Sequence, residues 1–325
     1  MGAADCTGLT RAGMRWLSKC GYGLPSPMRG RLPLDELKIE LDQKLRYSTL
    51  TFPVSEALFA QLPLSDECRT RCVLYVTFEE QTATTLAKGP ALITLERVPG
   101  KMVLFFAHYG HRRIQPRSLA EAKDYLADLE MRVPIPDWFY ETLERLEEVG
   151  DPVVSTIRVP PTSFIRYHLA HDLPSNFVAL GDSVMNINPT FAEGTSKAAR
   201  CALALKKSLL ALPSGVRVLP ADFGAKFFEE QNAKTAWMWE STRVNDYGQP
   251  TTEPIKGESL SSGALLRWYS RHLMKLTATD ELAAWAFYTF QVGYGSGIEG
   301  FHPHVVAKVL WNAFTGHWRS DMLRK

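Results

Sequence analysis

The sequence predicts a mixed α/β (α+β) chain. It would hold a buried strand crossing over into a helix, a mostly antiparallel sheet, and a helical C-terminal region. Three observations lead there. The run Phe177-Val178-Ala179-Leu180 lacks apolar/polar alternation and passes through Gly181-Asp182 and a loop into a helical pattern opening at Gly194, the order expected of a strand buried on both faces in a parallel sheet. Strand-like runs separated by turn residues fill residues 37–108. Beyond residue 220, apolar residues recur at helical spacing.

Taken in order, the chain opens with a loop, a short helix over 12–20 and a Gly-Tyr-Gly-Leu-Pro turn at 21–25. Residues 37–53 have strand character with imperfect alternation, and 72–80 form a second strand. Residues 91–98 and 102–108 flank Pro99-Gly100, a turn dipeptide, and read as a hairpin. Ser118 is a good N-cap for a helix over 118–131. A second helix over 137–149 is opened by Pro134 and Pro136 and stopped by Gly150. Strand character returns at 153–159 and 164–169. After the crossover segment, helices are expected over 221–241, 263–275, 280–292 and 303–314, with 248–262 as the best linker.

Composition narrows the function classes. With 325 residues and 45% hydrophobic content, the chain has ample material for a core. Lys+Arg number 37 against Asp+Glu 35, a net charge of +2 that gives no case for nucleic acid. The basic run His111-Arg112-Arg113 reads as a solvated loop. Five cysteines without framework spacing, and no secretory signal, read as reduced thiols of a cytoplasmic protein. No apolar run is long enough to span a bilayer. His108-x2-His111, His168-x2-His171 and Cys68-x3-Cys72 lack the spacing of a metal site, and no nucleophile elbow or P-loop occurs. The last helix carries Val305, Val306, Val309, Leu310, Trp311, Phe314 and Trp318, then Arg319, Arg324 and Lys325. Core packing accounts for the pattern, and peripheral membrane contact through this helix stays open beside it.

The chemistry concentrates at 177–199. A Gly at a strand's end lets backbone approach a ligand, and an Asp there can accept hydrogen bonds from sugar hydroxyls. The free N–H groups and dipole of a helix starting at Gly194 favour negative charge. On spacing alone, an ordinary strand–loop–helix crossover with an exposed Asp accounts for the segment equally well.

Leu180-Gly181-Asp182-Ser183, Asn188-Pro189 and Ala192-Glu193-Gly194-Thr195 through Ala198-Ala199 resemble the second flavin motif of FAD-dependent monooxygenases, near the squalene-epoxidase and aromatic-hydroxylase groups. Asp5-Cys6-Thr7-Gly8, Trp16-Leu17 and Gly21-Tyr22-Gly23-Leu24-Pro25 are similar to the stretch that precedes the substrate sheet in that family, and Phe301-His302-Pro303 to its helical tail. The resemblance implies an FAD site formed by Thr7, Gly8, Gly181, Asp182, Pro189, Gly194 and Thr195. It implies NAD(P)H as reductant, O2 as co-substrate, and hydroxylation or epoxidation of an apolar small molecule. It also implies that an aromatic set of Tyr47, Phe105, Phe106, His108 and Tyr109 includes substrate-facing residues, with Tyr47, Phe105 and Tyr109 as the candidates, although plain sheet core accounts for most of the set equally well. Residues 1–30 and 170–215 would form a partial FAD-binding domain, 31–169 a substrate-binding sheet with helices, and 216–325 a helical region.

The chain departs from the family pattern in two places. Ala192 and Glu193 stand where the family has Gly and Gln. The Ala adds a Cβ where backbone should come close. The Glu opposes flavin negative charge unless it points away or is protonated, and Lys197, one turn on, is expected to offset it. The strand–GxGxxG–helix unit that opens such folds has no counterpart before Asp5, and Gly295-Ser296-Gly297-Ile298-Glu299-Gly300 reads as a loop. Without parallel neighbours, one edge and both faces of 177–180 are expected to lose cover. The expectations are therefore a truncated product, an enzyme completed by a second chain, or a non-catalytic relative that keeps the sheet as a small-molecule or partner-binding module.

Overall fold

The computed structural model describes residues 2–25, 30–291, 295 and 298–315. The chain divides into two compact units: Met1–Glu40 with Thr162–Gly248 and Gly257–Lys325, and Leu41–Pro161 with Gln249–Lys256.

The first unit is built around two parallel strands. β1 (Ala3–Asp5) pairs with β9 (Phe177–Ala179), in register from Ala3 opposite Phe177 to Asp5 opposite Ala179. β1 is a strand that three short residues did not disclose, because a run of Ala-Ala-Asp carries no periodicity. β9 is wholly buried, as its unbroken apolar run required. The expected loss of cover on its faces does not occur. Phe177 packs against Tyr167 and Phe228, with ring centroids 5.7 and 6.1 Å away. The Gln231 amide donates to Ala179 O at 2.9 Å. Both Phe228 and Gln231 lie on α8 (Phe223–Asp246), which pairs with α7 (Gly194–Leu210) as a helical hairpin. α8 approaches closely at its start: a Cβ on Gly224 would stand 3.0 Å from Pro174 O.

A small sheet, β10 (Met185–Asn186), β8 (Thr162–Ile165) and β2 (Lys38–Leu41), completes the β part. The expected strand over 164–169 therefore ends at Ile165. Arg166 N turns to Leu37 O at 3.0 Å and residues 167–169 wind into a 3-10 turn. The remaining helices are α1 (Ala12–Lys19), α9 (Ala264–Leu276), α10 (Glu281–Gln291) and α11 (Pro303–Thr315). Tyr269, Leu273, Leu276, Ala283, Val305 and Val309 form the core of the last three. Of the Gly295–Gly300 stretch, residues 296 and 297 lie outside the described residues. Trp318, Arg319, Arg324 and Lys325 do so as well.

The second unit is a five-stranded antiparallel sheet in the order β4 (Val73–Phe78), β5 (Ala91–Val98), β6 (Lys101–His108), β3 (Arg46–Pro53), β7 (Val153–Arg158). The β5–β6 hairpin turns at Pro99-Gly100, as the sequence predicts. The strand expected over 37–53 is broken into β2 and β3. Lys44 adopts φ 55° and its N–H donates to Asp42 Oδ1 at 3.0 Å, a local turn that ends one strand before the next begins. One face of the sheet buries Leu50, Phe52, Ile93, Leu95, Leu104 and Phe106. Against them lie α5 (Leu119–Ala127) and α6 (Asp137–Glu147), which contribute Tyr125, Phe139 and Leu143 among others. Three short capped helices, α2 (Glu56–Gln61), α3 (Asp66–Arg69) and α4 (Ala83–Lys88), went unseen for want of length.

The Ser118 hydroxyl caps α5 by accepting from Glu121 N at 3.1 Å. The helix stops at Ala127, short of the expected 131. Residue 130 has a stronger claim on it: Glu130 N donates to Glu79 Oε1 at 3.1 Å. Glu79 is itself held bidentately by Arg113 at 2.5 and 2.7 Å. Arg113 is therefore not part of a solvated loop. Its side chain and that of Glu79 are 4% and 0% exposed, and pairing is what permits burial of both charges.

Candidate functional site

In the first unit the sequence motifs fall at one place, the carboxyl ends of β1 and β9. Asp5, fully buried, organises the end of β1. Its Oδ1 accepts from Thr7 N at 3.0 Å and Thr7 Oγ1 at 2.6 Å, and its Oδ2 accepts from Gly13 N at 2.8 Å. Thr7 Oγ1 in turn accepts from Ala12 N at 2.9 Å. These bonds satisfy donors at the start of α1 and fix the Thr7–Arg11 turn, where Gly8 adopts φ +62°, a conformation that glycine takes without steric cost.

The end of β9 is tied to the same place. Leu180 N donates to Asp5 O at 2.9 Å, and the Ser183 hydroxyl lies 2.6 Å from both Asp5 O and Leu180 O. Gly181 takes φ +64°, and a Cβ built on it meets nothing within 4 Å. Its glycine is thus required by backbone conformation rather than by a near wall. The turns at 8–10 and 181–183 pack together, so Thr7, Gly8, Gly181 and Asp182 are neighbours.

α7 brings in the rest. No side chain caps its N-terminus and no acidic residue lies in its first turn, and Gly194, Thr195 and Ser196 are exposed. Pro189 opens a 3-10 turn that follows Asn188, whose side chain accepts from Thr190 N at 2.9 Å and donates to Asp246 at 2.6 Å. Ala192 adopts φ 56°, a left-handed conformation that a Cβ disfavours. The glycine expected there by resemblance has a conformational reason in this loop.

The charged groups depart from expectation. Lys197, expected to offset Glu193, is buried with 1% exposure and instead holds Asp182 Oδ1 and Met185 O. The Asp182 side chain is itself half exposed, at 51%. Glu193 is buried, and its Oε2 has no hydrogen-bond partner. Burial pushes its carboxyl up to about 7. Asp246 moves the same way, to about 7, by burial that the Asn188 hydrogen bond opposes. Both carboxyls therefore favour the neutral form relative to an exposed acid.

Two groups stand outside the expected site residues, Asp5 although its motif was noted. Asp5 carries the hydrogen bonding of the first turn, and a strand ending in Asp-x-Thr-Gly was the available signal. Arg11 sits at φ 47° at the end of that turn, donates to the Ser163 hydroxyl, and lies within electrostatic reach of Asp182. Nothing in the sequence marks it.

In the second unit, Tyr47 and Phe105 meet edge to face at 4.9 Å on the sheet face opposite the main core, where Leu92 and Tyr109 also pack. Phe106 and His108 do not join them. Strand alternation sends both to the other face, where Phe106 lies 5.0 Å and His108 6.0 Å from the Tyr125 ring. Burial and the neighbouring Arg113 lower the His108 imidazole to about 4, so it is held neutral.

No protein-family model matches the chain, and no curated protein does. Among solved structures, it is similar to the flavin-dependent brominase Bmp2, at 13% identity and a TM-score of 0.45 over 97% of this chain and 62% of that one. A second is a putative FAD-containing monooxygenase from Photorhabdus luminescens subsp. laumondii TTO1, at 14% identity and a TM-score of 0.42 over 65% and 56%. A third is CtdE in complex with FAD and a substrate, at 10% identity and a TM-score of 0.40 over 65% and 49%. The chain thus spans about half to three fifths of their length. Identities and TM-scores of this size assign neither activity nor ligand to it.

Proposed function

We propose that this chain carries the flavin-facing turns and the substrate sheet of an FAD-dependent monooxygenase. One observation carries the reading. The carboxyl ends of two parallel strands bring the Asp5–Gly8 turn against the Gly181–Asp182 turn. Ligands of α/β sheets bind outside the carboxyl ends of parallel strands.

The residues present fit FAD in three respects. The space beyond Gly181 and Gly194 is open to 4 Å. The uncapped α7 terminus offers N–H groups to an anionic or electron-rich edge. The half-exposed Asp182 carboxylate suits a sugar hydroxyl. Gly181, Asp182, Pro189 and the Gly194–Thr195 backbone would hold the cofactor, with Thr7 and Gly8 beside it; the Thr7 hydroxyl is engaged within its own turn. Bound flavin would supply oxygen transfer, with NAD(P)H as reductant. The chain's own part is to orient the cofactor and, through Tyr47, Phe105 and Tyr109, to offer apolar surface to the substrate.

A second reading, a non-catalytic relative that binds a small molecule or partner, is favoured by one feature. Lys197 already occupies an oxygen of Asp182, and unpartnered Glu193 sits at the entrance of α7. Titration of the purified chain with FAD decides between them. Saturable quenching of flavin fluorescence, weakened at least about tenfold by Asp182→Ala, supports the first. Free flavin at every protein concentration supports the second.

A further inference from the structure

We propose that Glu193 is a proton-operated gate on the flavin site: the α7 terminus accepts the cofactor while the Glu193 carboxyl is neutral and disfavours it once that carboxyl is ionised. The inference rests on the flavin reading and adds the regulation of that same site.

The backbone puts this carboxyl where it can act. Glu193 immediately precedes α7, and its C=O accepts the first bond of the helix, from Lys197 N at 2.9 Å. The N–H groups of Gly194, Thr195 and Ser196 therefore have no acceptor within the helix. No side chain caps them, and all three residues are exposed. These are the donors proposed to meet an electron-rich edge. Glu193 itself is 5% exposed, although Ala192 and Gly194 on either side of it are exposed. Its Oε2 has no hydrogen-bond partner. A buried carboxyl with an unused oxygen is tolerated as the neutral acid and costly as the anion.

The charged groups around it are committed elsewhere. Lys197, one turn along α7, holds Asp182 Oδ1 and Met185 O. Asp182, on the Gly181 turn, has that ammonium and lies within electrostatic reach of Arg11. Asp246, on α8, accepts from the Asn188 amide at 2.6 Å. Among the described residues no cation pairs with Glu193, and burial sets its carboxyl at about 7. Ionised, it is an anion at the root of the α7 dipole. It competes there with an electron-rich ligand for the same positive end, in surroundings that screen poorly. Neutral, it leaves the N–H groups available. Coupling between two binding events is reciprocal. Flavin bound at α7 therefore holds the carboxyl protonated, and binding above neutrality takes a proton from the buffer onto the Glu193 carboxylate.

The test is fluorescence titration of the full chain with FAD from about pH 6 to about pH 8.5, with calorimetry near the upper end in buffers of different ionisation enthalpy. The parent's Kd should rise about tenfold across that range, and binding should take up protons. Glu193→Gln, the same shape as the neutral acid, should hold the parent's low-pH affinity throughout and take up none. Circular dichroism at each pH confines the comparison to folded protein. The proposal is overturned by a parent Kd that does not change with pH, or by a slope that persists in Glu193→Gln, which would point to Asp246. It is also overturned if the parent takes up no proton, a readout that needs no variant. Those results leave flavin binding standing. Failure of both proteins to bind flavin at about pH 6 instead removes the flavin reading, and this inference with it.

Discussion

At the scale of single residues, the candidate site is governed by where charge is buried. Glu193 is raised from 4.5 to about 7 by burial, so the folded chain holds this proton more tightly than the unfolded one. Its contribution is fully present below about 4.5 and is lost as pH rises toward 7. The span corresponds to at most about 3 kcal/mol. Glu193→Gln should therefore flatten the fall in melting temperature between pH 5 and 8 and exceed the parent in stability at the upper end. Equal slopes in parent and variant would refute the assignment. Asp246 titrates in the same direction, so the difference between the two proteins, not the parent's slope, is the readout. The Asp182–Lys197 pair is asymmetric in the opposite sense. Removing Asp182 strands a buried ammonium with one carbonyl, whereas removing Lys197 leaves a carboxylate that water can reach. Asp182→Ala should cost about 1–3 kcal/mol in urea melts, less than for a fully buried pair, and Lys197→Met appreciably less. A larger loss in the lysine variant would contradict this. The sequence placed Asp182 and Lys197 fifteen residues apart without showing that they pair, because the pairing depends on where α7 lies over the loop rather than on spacing.

At the scale of elements, what was legible is what periodicity and turn chemistry encode. The β5–β6 hairpin, the Ser118 cap, the unalternating β9 and the start of α7 at Gly194 all declare themselves locally. β1, β10 and the early end of α5 do not, because each is fixed by a partner distant in sequence: Phe177–Ala179, Ser163–Phe164 and Glu79 respectively. The same holds for Gly13, in the first turn of α1, which carries no sequence signature. A Cβ there would stand 2.4 Å from Asp5 Oδ2 and 2.8 Å from the Phe177 ring. Alanine is the better helix former by up to about 1 kcal/mol, but forcing a methyl into a filled space costs about 1–3 kcal/mol. Phe177 belongs to β9 and Asp5 to β1, so neither can recede without loosening the strand pair. Gly13→Ala should therefore destabilise the chain, measured by denaturant midpoint at unchanged m-value, despite the gain in helix propensity.

At the scale of the whole molecule, each unit has its own core, and the residues proposed to hold flavin all belong to the first. Ligand binding to the folded state adds RT ln(1 + [L]/Kd) to stability, about 2.7 kcal/mol at a hundredfold excess over Kd. For a unit of roughly 200 residues, each kcal/mol moves the melting temperature about 2–4 °C, so saturating FAD should raise it by about 5–10 °C. Glu193→Gln should preserve that rise, because it removes a buried acid without touching the turns at Gly8 and Gly181. Asp182→Ala should lose much of it even after its own loss of stability is subtracted, because the half-exposed Asp182 carboxylate is the group proposed to meet the cofactor. A rise that is equal in parent and Asp182→Ala would place any bound flavin away from the β1–β9 turns. No rise at all would leave those turns as a structural crossover and favour the small-molecule or partner-binding reading.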